Sequence, residues 1–308
     1  MKPFYSRENE GSRESGLYDA ATVILVRDGD HGSFEVFLMR RHQRQNFMAS
    51  AFVFPGGRLD EADCDPGLIP YAQGLSAEEA KLSLNEPDLP DEKALGLFFA
   101  SVRETFEEAG VLLASTASGD MVDFSGNMSD KRFSDYRFKI HEQTMSLRDL
   151  AEAEGIYFRF DLLTPYAHWI TPQIESKRFD TRFLLARMPQ NQVPIHDSIE
   201  MTESLWITPA DALVRQAAGE LLLMPPTLKT MEELAEFSSI EQLFNEAASR
   251  DIQPILPQAF QTPEGFGVKL PYDPEYTLTD SKLPPRPGEP SRIVMVNGRW
   301  ETRQVKNQ

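Results

Sequence analysis

Residues 100–110, ASVRETFEEAG, place Arg103, Glu104, Glu107 and Glu108 at one-, three- and four-residue spacings. On a helix these spacings bring the acids onto one flank, where like charges four apart repel by about 0.2–0.5 kcal/mol per pair. A flank that only met solvent would more often interleave lysines. Hard divalent cations take oxygen ligands, and Mg²⁺ uses a few carboxylates while keeping water for substrate phosphates. A second stretch, PGGRLDEAD (55–63), sets two glycines after a strand, which lets backbone approach a ligand closely. Read singly, the acids are as well explained as a solvated face and the glycines as an ordinary turn. Read together, they predict a loop–helix cradle for a metal and a phosphate.

The elements that must hold this cradle can be read around it. At 100° per residue, Leu95, Phe98, Phe99, Val102, Phe106 and Ala109 form one apolar stripe, opposite the glutamates. The pattern predicts a helix over about 91–109, with Pro90 and two acids at its start and Gly110 in the left-handed cap position. ATVILV (21–26) and FEVFLMR (34–40) read as strands, and FVFPGG (52–57) as a short strand entering the glycine turn. Residues 64–91 carry several prolines, many acids and few large apolar groups. They read as a surface insertion, with Ser76 and Glu79 capping a short helix at 77–84. Helical pattern over 130–154 is followed by the strand-like runs YFRFDLL, AHWIT and RFDTRFLLAR (178–187). SLWITPADALVRQAAGE (204–220) reads as strand, turn and helix, and two more helices span about 227–249. In the proline-rich tail, Asn297-Gly298 marks a hairpin.

Bulk properties narrow the function. The chain has 308 residues, 41% hydrophobic, and 31 basic against 48 acidic residues give a net charge of −17. Such a surface argues against nucleic acid and anionic membranes as partners. A phosphate site on it would need local cations or a metal. The lone Cys64 excludes an internal disulfide or a cysteine zinc site. One cysteine, no signal peptide and no long apolar run predict a cytoplasmic protein without a membrane span.

With these residues identified, the sequence resembles the Nudix hydrolase family, whose box reads G-x(5)-E-x(7)-REU-x-EE-x-GU, U being bulky and apolar. RETFEEAGV (103–111) fits it, with Thr105 at a position where the family has a bulky apolar residue. Gly57 opens the motif. Asp63 occupies the first glutamate position with a shorter side chain. The spacer from Cys64 to Val102 replaces the usual seven residues, so the box is split by the insertion. With ATVILV, WITP, KRFDTRFLLA and SLWITPADAL, the likeness extends over about 19–225. These phrases and the split box look most like the branch containing the mammalian peroxisomal CoA diphosphatase.

The resemblance implies an α/β (α+β) fold, a Nudix-type α/β/α sandwich with a mixed central sheet. The expected organisation is a flexible arm (1–17), a Nudix domain (18–225, insertion about 64–91) and a helical, proline-rich C-terminal extension (226–308). That extension would cover the cleft or form a homodimer interface. The implied activity is Mg²⁺- or Mn²⁺-dependent hydrolysis of a nucleoside diphosphate linked to another group. Glu104, Glu107, Glu108 and the Gly57 carbonyl would bind metal, and Arg103 would orient the glutamates. Glu200, with Glu203 next, would be the later-loop base. Arg40, Arg41, Lys177, Arg178 and Arg182 are the candidate phosphate clamps, Arg178 and Arg182 sharing a strand face. His42, His168 and His196 form no metal pair, and Trp169 and Trp206 read as core. CoA or acyl-CoA leads as substrate on the split box, although FLMRRHQRQNFMASAFVFPGG does not follow the upstream pattern of CoA-directed branches. ADP-ribose or NADH is the enzymatic alternative, and a catalytically silent nucleotide sensor the non-enzymatic one.

Overall fold

The computed structural model describes residues 16–42, 50–124, 127–197, 200–263 and 265–305. Most of the expected arm lies outside the described residues, and Leu17 already belongs to a strand. The chain opens with β1 (Leu17–Asp28) and β2 (Phe34–Arg41), the two apolar runs on either side of the DGDHG turn. Then come the short strands β3 (Phe52–Val53), β4 (Gly56–Arg58) and β5 (Ala72–Gln73), and helices α1 (Ala77–Ser83) and α2 (Asp91–Ala109). β6 (Ala114–Thr116), α3 (Asn127–His141), α4 (Leu147–Glu154) and β7 (Ile156–Arg159) lead to β8 (Thr164–Ile170) and β9 (Arg178–Arg187). β10 (Met201–Ile207) precedes α5 (Pro209–Ala218), α6 (Pro225–Leu234) and α7 (Ile240–Ser249). The chain ends in β11 (Pro254–Ile255), β12 (Gln258–Thr262), β13 (Gly265–Lys269), β14 (Arg292–Val296) and β15 (Arg299–Arg303).

The central sheet is mixed, in the order β10-β2-β1-β9-β8-β11, with β3 beside β2 and β4 beside β1. β1 runs parallel to β9 along ten positions, whereas β2 and β4 are antiparallel to it. On that edge β1 divides its partners: β4 pairs at Ala20–Thr22 and β2 at Val26–Asp28. The sheet therefore splays between β2 and β4. Strand alternation sends Val23 and Leu25 to one core, with α1, α2, α3 and α4. It sends Ile24 and Val26 to the other, with α5, α6, α7 and the C-terminal strands. The result is the expected three-layer α/β arrangement, and among the described residues no helix is long and apolar enough to cross a membrane.

The termini of α2 follow from its sequence. Pro90 stands just outside as N-cap, with Asp91 and Glu92 in the first turn, where the helix dipole favours acids. Gly110 takes φ 69°, and its N–H bonds the Phe106 carbonyl at 3.0 Å. The Arg137 guanidinium from α3 donates to the carbonyls of Glu107 and Glu108 at 2.8 and 2.9 Å, placing a cation at the negative end of the helix.

Two regional expectations are corrected. The insertion is not only surface: Leu68, Ala80 and Leu84 are buried in the α2-side core, and β5 joins β7 and β6 in a small sheet. Its few apolar residues are spaced to face α2, which the low average hydrophobicity hides. The C-terminal extension is more than helices and a tail, because β12-β13-β14-β15 form a four-stranded antiparallel sheet. Only its last turn is marked in the sequence, where Asn297 and Gly298 take φ 49° and 82° as a tight hairpin of mirror-image type requires. Leu228, Met231 and Trp300 enter the same core as Ile24 and Val26, so no packing boundary falls at residue 225.

Arg182, 3% exposed, ties the insertion to the sheet. Its guanidinium bonds Asp19 of β1 at 2.7 Å and both carboxylate oxygens of Glu86 at 2.6 and 2.9 Å. Burial opposes this charge, but Glu86, Asp180 and Asp19 outweigh it and hold the guanidinium above its usual range. Replacing Arg182 with methionine strands these carboxylates without their cation, and stability should fall by about 3 kcal/mol. Urea unfolding should show a lower midpoint with unchanged slope.

Candidate active site

Arg103 is the hub of the acidic flank. A guanidinium has five N–H donors, and here each is used. Nε and Nη2 grip both oxygens of Asp63 at 2.8 and 2.9 Å, and Nη2 also bonds the Arg58 carbonyl at 2.8 Å. Nη1 holds Glu104 at 2.8 Å and Glu107 at 2.9 Å. Burial works against this cation, yet Glu104, Asp63 and Glu107 more than compensate and keep it charged. Asp63 is 2% exposed and accepts the Asp60 N–H at 2.9 Å, fixing the turn that follows the glycines. The shorter side chain at the first glutamate position of the box is thus a clamp on Arg103.

The glycines touch the glutamates directly. The Gly56 N–H donates to Glu108 at 2.8 Å. A Cβ on Gly57 would lie 2.4 Å from Glu104 Oε1, so any other residue would push that carboxylate from its place. The strand β4 and the helix α2 meet at the splayed edge of β1. Burial raises both carboxyls, helped for Glu104 by Glu107 and for Glu108 by Glu104. Glu104 is pushed up to about 7, against the pull of Arg103, and Glu108 well above the ordinary range. Glu107 is displaced to the rim of the cluster: one oxygen takes Arg103, the other faces His141 at 3.7 Å. Burial raises it too. Among the described residues no three acids, histidines or cysteines already converge as a closed metal cage.

A cleft of about 470 Å³ opens over this cluster. Glu104, Glu107, Glu108, Gly56, Gly57, Arg41 and Glu200 line its acidic end. Trp169, Phe179 and Phe183 form a wall, which Met224 and Pro225, at the start of α6, and Pro226, Pro257 and Val268 of the C-terminal extension complete. Of the five cations put forward from sequence, Arg41 and Lys177 line the cleft. Arg41 Nε is buried without a hydrogen-bond partner, and its charge acts on Glu108.

Strand parity removes the other three. Phe179, Thr181 and Phe183 of β9 face the cleft, so Arg178 and Arg182 share the opposite face. Arg178 there bonds the Thr171 carbonyl at 3.0 Å, and Arg182 is spent on Asp19 and Glu86. Arg40 points away from Arg41 and pairs with Glu203 at 3.5 Å, which also leaves Glu203 outside the cleft lining. Trp206 packs on Phe37 under Arg27, whereas Trp169 is both core and cleft wall. His141 and Gln143, at the end of α3, line the cleft without any signal in their spacing. Arg58 does so too, and its position directly after the double glycine could have marked it.

Residues 17–234 match the NUDT19 Nudix domain family. The chain is a Nudix hydrolase. Acyl-coenzyme A diphosphatase NUDT19 of Xenopus laevis is 25% identical over 91% of this chain and 85% of the frog protein. The protein of that name from Gallus gallus is 28% identical over 79% of the chain and 75% of its own length. Among solved structures, a Nudix hydrolase from Alicyclobacillus acidocaldarius superposes with a TM-score of 0.64 at 26% identity, covering 78% of this chain and all of that one.

Nudix hydrolases generally use divalent metals such as Mg²⁺ or Mn²⁺. The residues present fit such an ion. The donors are hard oxygens, burial makes two carboxyls resist ionising, Glu108 the more so beside Glu104, and the Gly57 cradle would be filled by any Cβ. A bound cation would reverse the penalty on ionising Glu104. A carboxyl raised in the folded state favours folding while protonated, and that contribution is lost as pH rises through its folded value. In chelator, the melting temperature should therefore fall from about pH 4.5 to 7, the span of the Glu104 shift. Mg²⁺ should stabilise increasingly across that window, and Glu104→Gln should flatten both trends in a thermal-shift titration. Gly57→Ala should stay folded, because a flexible carboxylate can yield, yet lose the Mg²⁺-induced shift.

Proposed function

We propose that this Nudix hydrolase cleaves the diphosphate of CoA or an acyl-CoA, using Mg²⁺ or Mn²⁺ held by Glu104, Glu108 and the Gly57 carbonyl. Glu107 adds charge at the rim. The observation that carries the reading is the make-up of one cleft: buried carboxylates and Arg41 at one end, and an apolar wall built partly from the C-terminal extension along the rest. A diphosphate joined to a long, weakly polar arm matches both ends. The relatives named as acyl-coenzyme A diphosphatases support the same substrate.

The chain's own groups then have distinct tasks. Arg103 keeps Glu104 and Glu107 in place and meets no substrate, since its donors are all committed to the protein. Arg41 offers its unpartnered Nε to a phosphate oxygen as a charge-assisted donor. Glu200 lines the cleft beside Glu108 and is the base that takes the proton from the attacking water, in preference to the Arg40-paired Glu203. The water oxygen bonds one phosphorus as its bridging P–O bond breaks, yielding two phosphomonoesters. Bound cations would neutralise the diphosphate and make water more acidic. The apolar wall holds the arm and excludes bulk water from the reacting bond.

A panel of CoA, acyl-CoA, ADP-ribose, NADH and Ap4A, with Mg²⁺ or Mn²⁺ and products identified by mass, should show CoA compounds as the best substrates. Glu108→Gln should lower kcat by about 10²–10⁴-fold, the range for loss of a positioned catalytic group, without lowering the melting temperature. Silence of the whole panel would instead favour a nucleotide-binding protein.

A further inference from the structure

Two exposed cations at the cleft of this acidic chain share one aromatic surface. Arg58 and Lys177 are exposed, line the cleft, and have neither an ion pair nor a side-chain hydrogen bond among the described residues. Many other cations of the chain meet an acid: Arg27 meets Glu35, Lys93 meets Asp19, and Arg187 meets Glu241. Each of the two is instead laid on an aromatic ring. Arg58 Cζ is 4.1 Å from the ring centre of Tyr18, and Lys177 Nζ is 5.4 Å from that of Phe179. Tyr18 and Phe179 are paired residues of β1 and β9, with ring centres 6.3 Å apart. The carboxylate of Asp60, which also lines the cleft, turns toward Arg103 at 3.7 Å. A chain with a net charge of −17 thus keeps two cations uncompensated on one aromatic shelf.

The shelf adjoins the acidic cluster. Arg58 directly follows Gly57, against which Glu104 packs, and its carbonyl is bonded by Arg103. We infer that Arg58 and Lys177, on the Tyr18–Phe179 shelf, form an anion subsite that reads the 3′-phosphate of a 3′-phosphorylated adenosine diphosphate. This deepens the proposed function and rests on it, because CoA carries that phosphate and ADP-ribose and NADH do not. A guanidinium and an aromatic face also give a purine surfaces to stack on. The phosphomonoester supplies the negative charge that the two cations lack.

The test is calorimetric binding of adenosine 3′,5′-bisphosphate and of AMP to the full chain in Mg²⁺, alongside CoA turnover. The bisphosphate should bind about tenfold more tightly, as expected for a charge-assisted phosphate contact. That gap should shrink with added salt and close in Arg58→Gln/Lys177→Gln. A purely structural role for the pair would weaken both ligands alike and leave their ratio unchanged. Equal affinities in the wild type, or a gap that survives the double substitution, overturns the subsite. CoA turnover without a gap sinks the subsite alone, whereas a gap without CoA turnover supports it and sinks the reaction assigned above.

Discussion

The grip of Arg103 on Asp63, Glu104 and Glu107 is the interaction on which the site depends. Four acids, with Glu108, crowd a region largely shielded from water, and burial alone would favour protonating them. One guanidinium with every donor engaged offsets part of that cost and fixes where the carboxylates stand. It does not remove it, since the carboxyls remain raised. The residual tension is concentrated where Glu104 and Glu108 meet the double glycine. A lysine, with one point charge and no planar fork, could not hold both oxygens of Asp63 while reaching two glutamates.

The backbone makes this cluster accessible. Because β1 gives one half of its edge to β4 and the other to β2, the sheet opens where α2 carries its acids. Carboxylates from the helix on one face thereby reach a cleft walled from the other. The C-terminal extension supplies much of that second wall, and its helices and strands share a core with β1 and β2. Chemistry and substrate enclosure thus come from opposite layers of one sandwich.

Much of this was legible in the residues. Pro90 and Gly110 bracket α2, the alternating runs mark β1, β2 and β9, and Ser76–Glu79 forms the capping box its spacing suggests. The pairing of acids with the double glycine was legible too, because close approach leaves a compositional trace. Which strand face meets a cleft leaves none. Arg178 and Arg182 share a face as their spacing requires, but the cleft lies on the other. The extension's strands are short and separated by proline-rich links, and they gain a packing partner only in the folded chain, where β15 meets α6. His141 reaches the site only through the placement of α3.

The pair Asp63–Arg103 has one more consequence. It fastens together the two points at which the chain leaves and re-enters the box, while Arg182 anchors the detour near its far end through Glu86. Closing a flexible loop costs only about 0.6 kcal/mol more for each doubling of its length. With both ends pinned, the acids keep their places although the chain leaves them for a long, partly buried excursion. The two halves of the box are thus joined through space by a salt bridge, where an unbroken string of letters would not show them as one site.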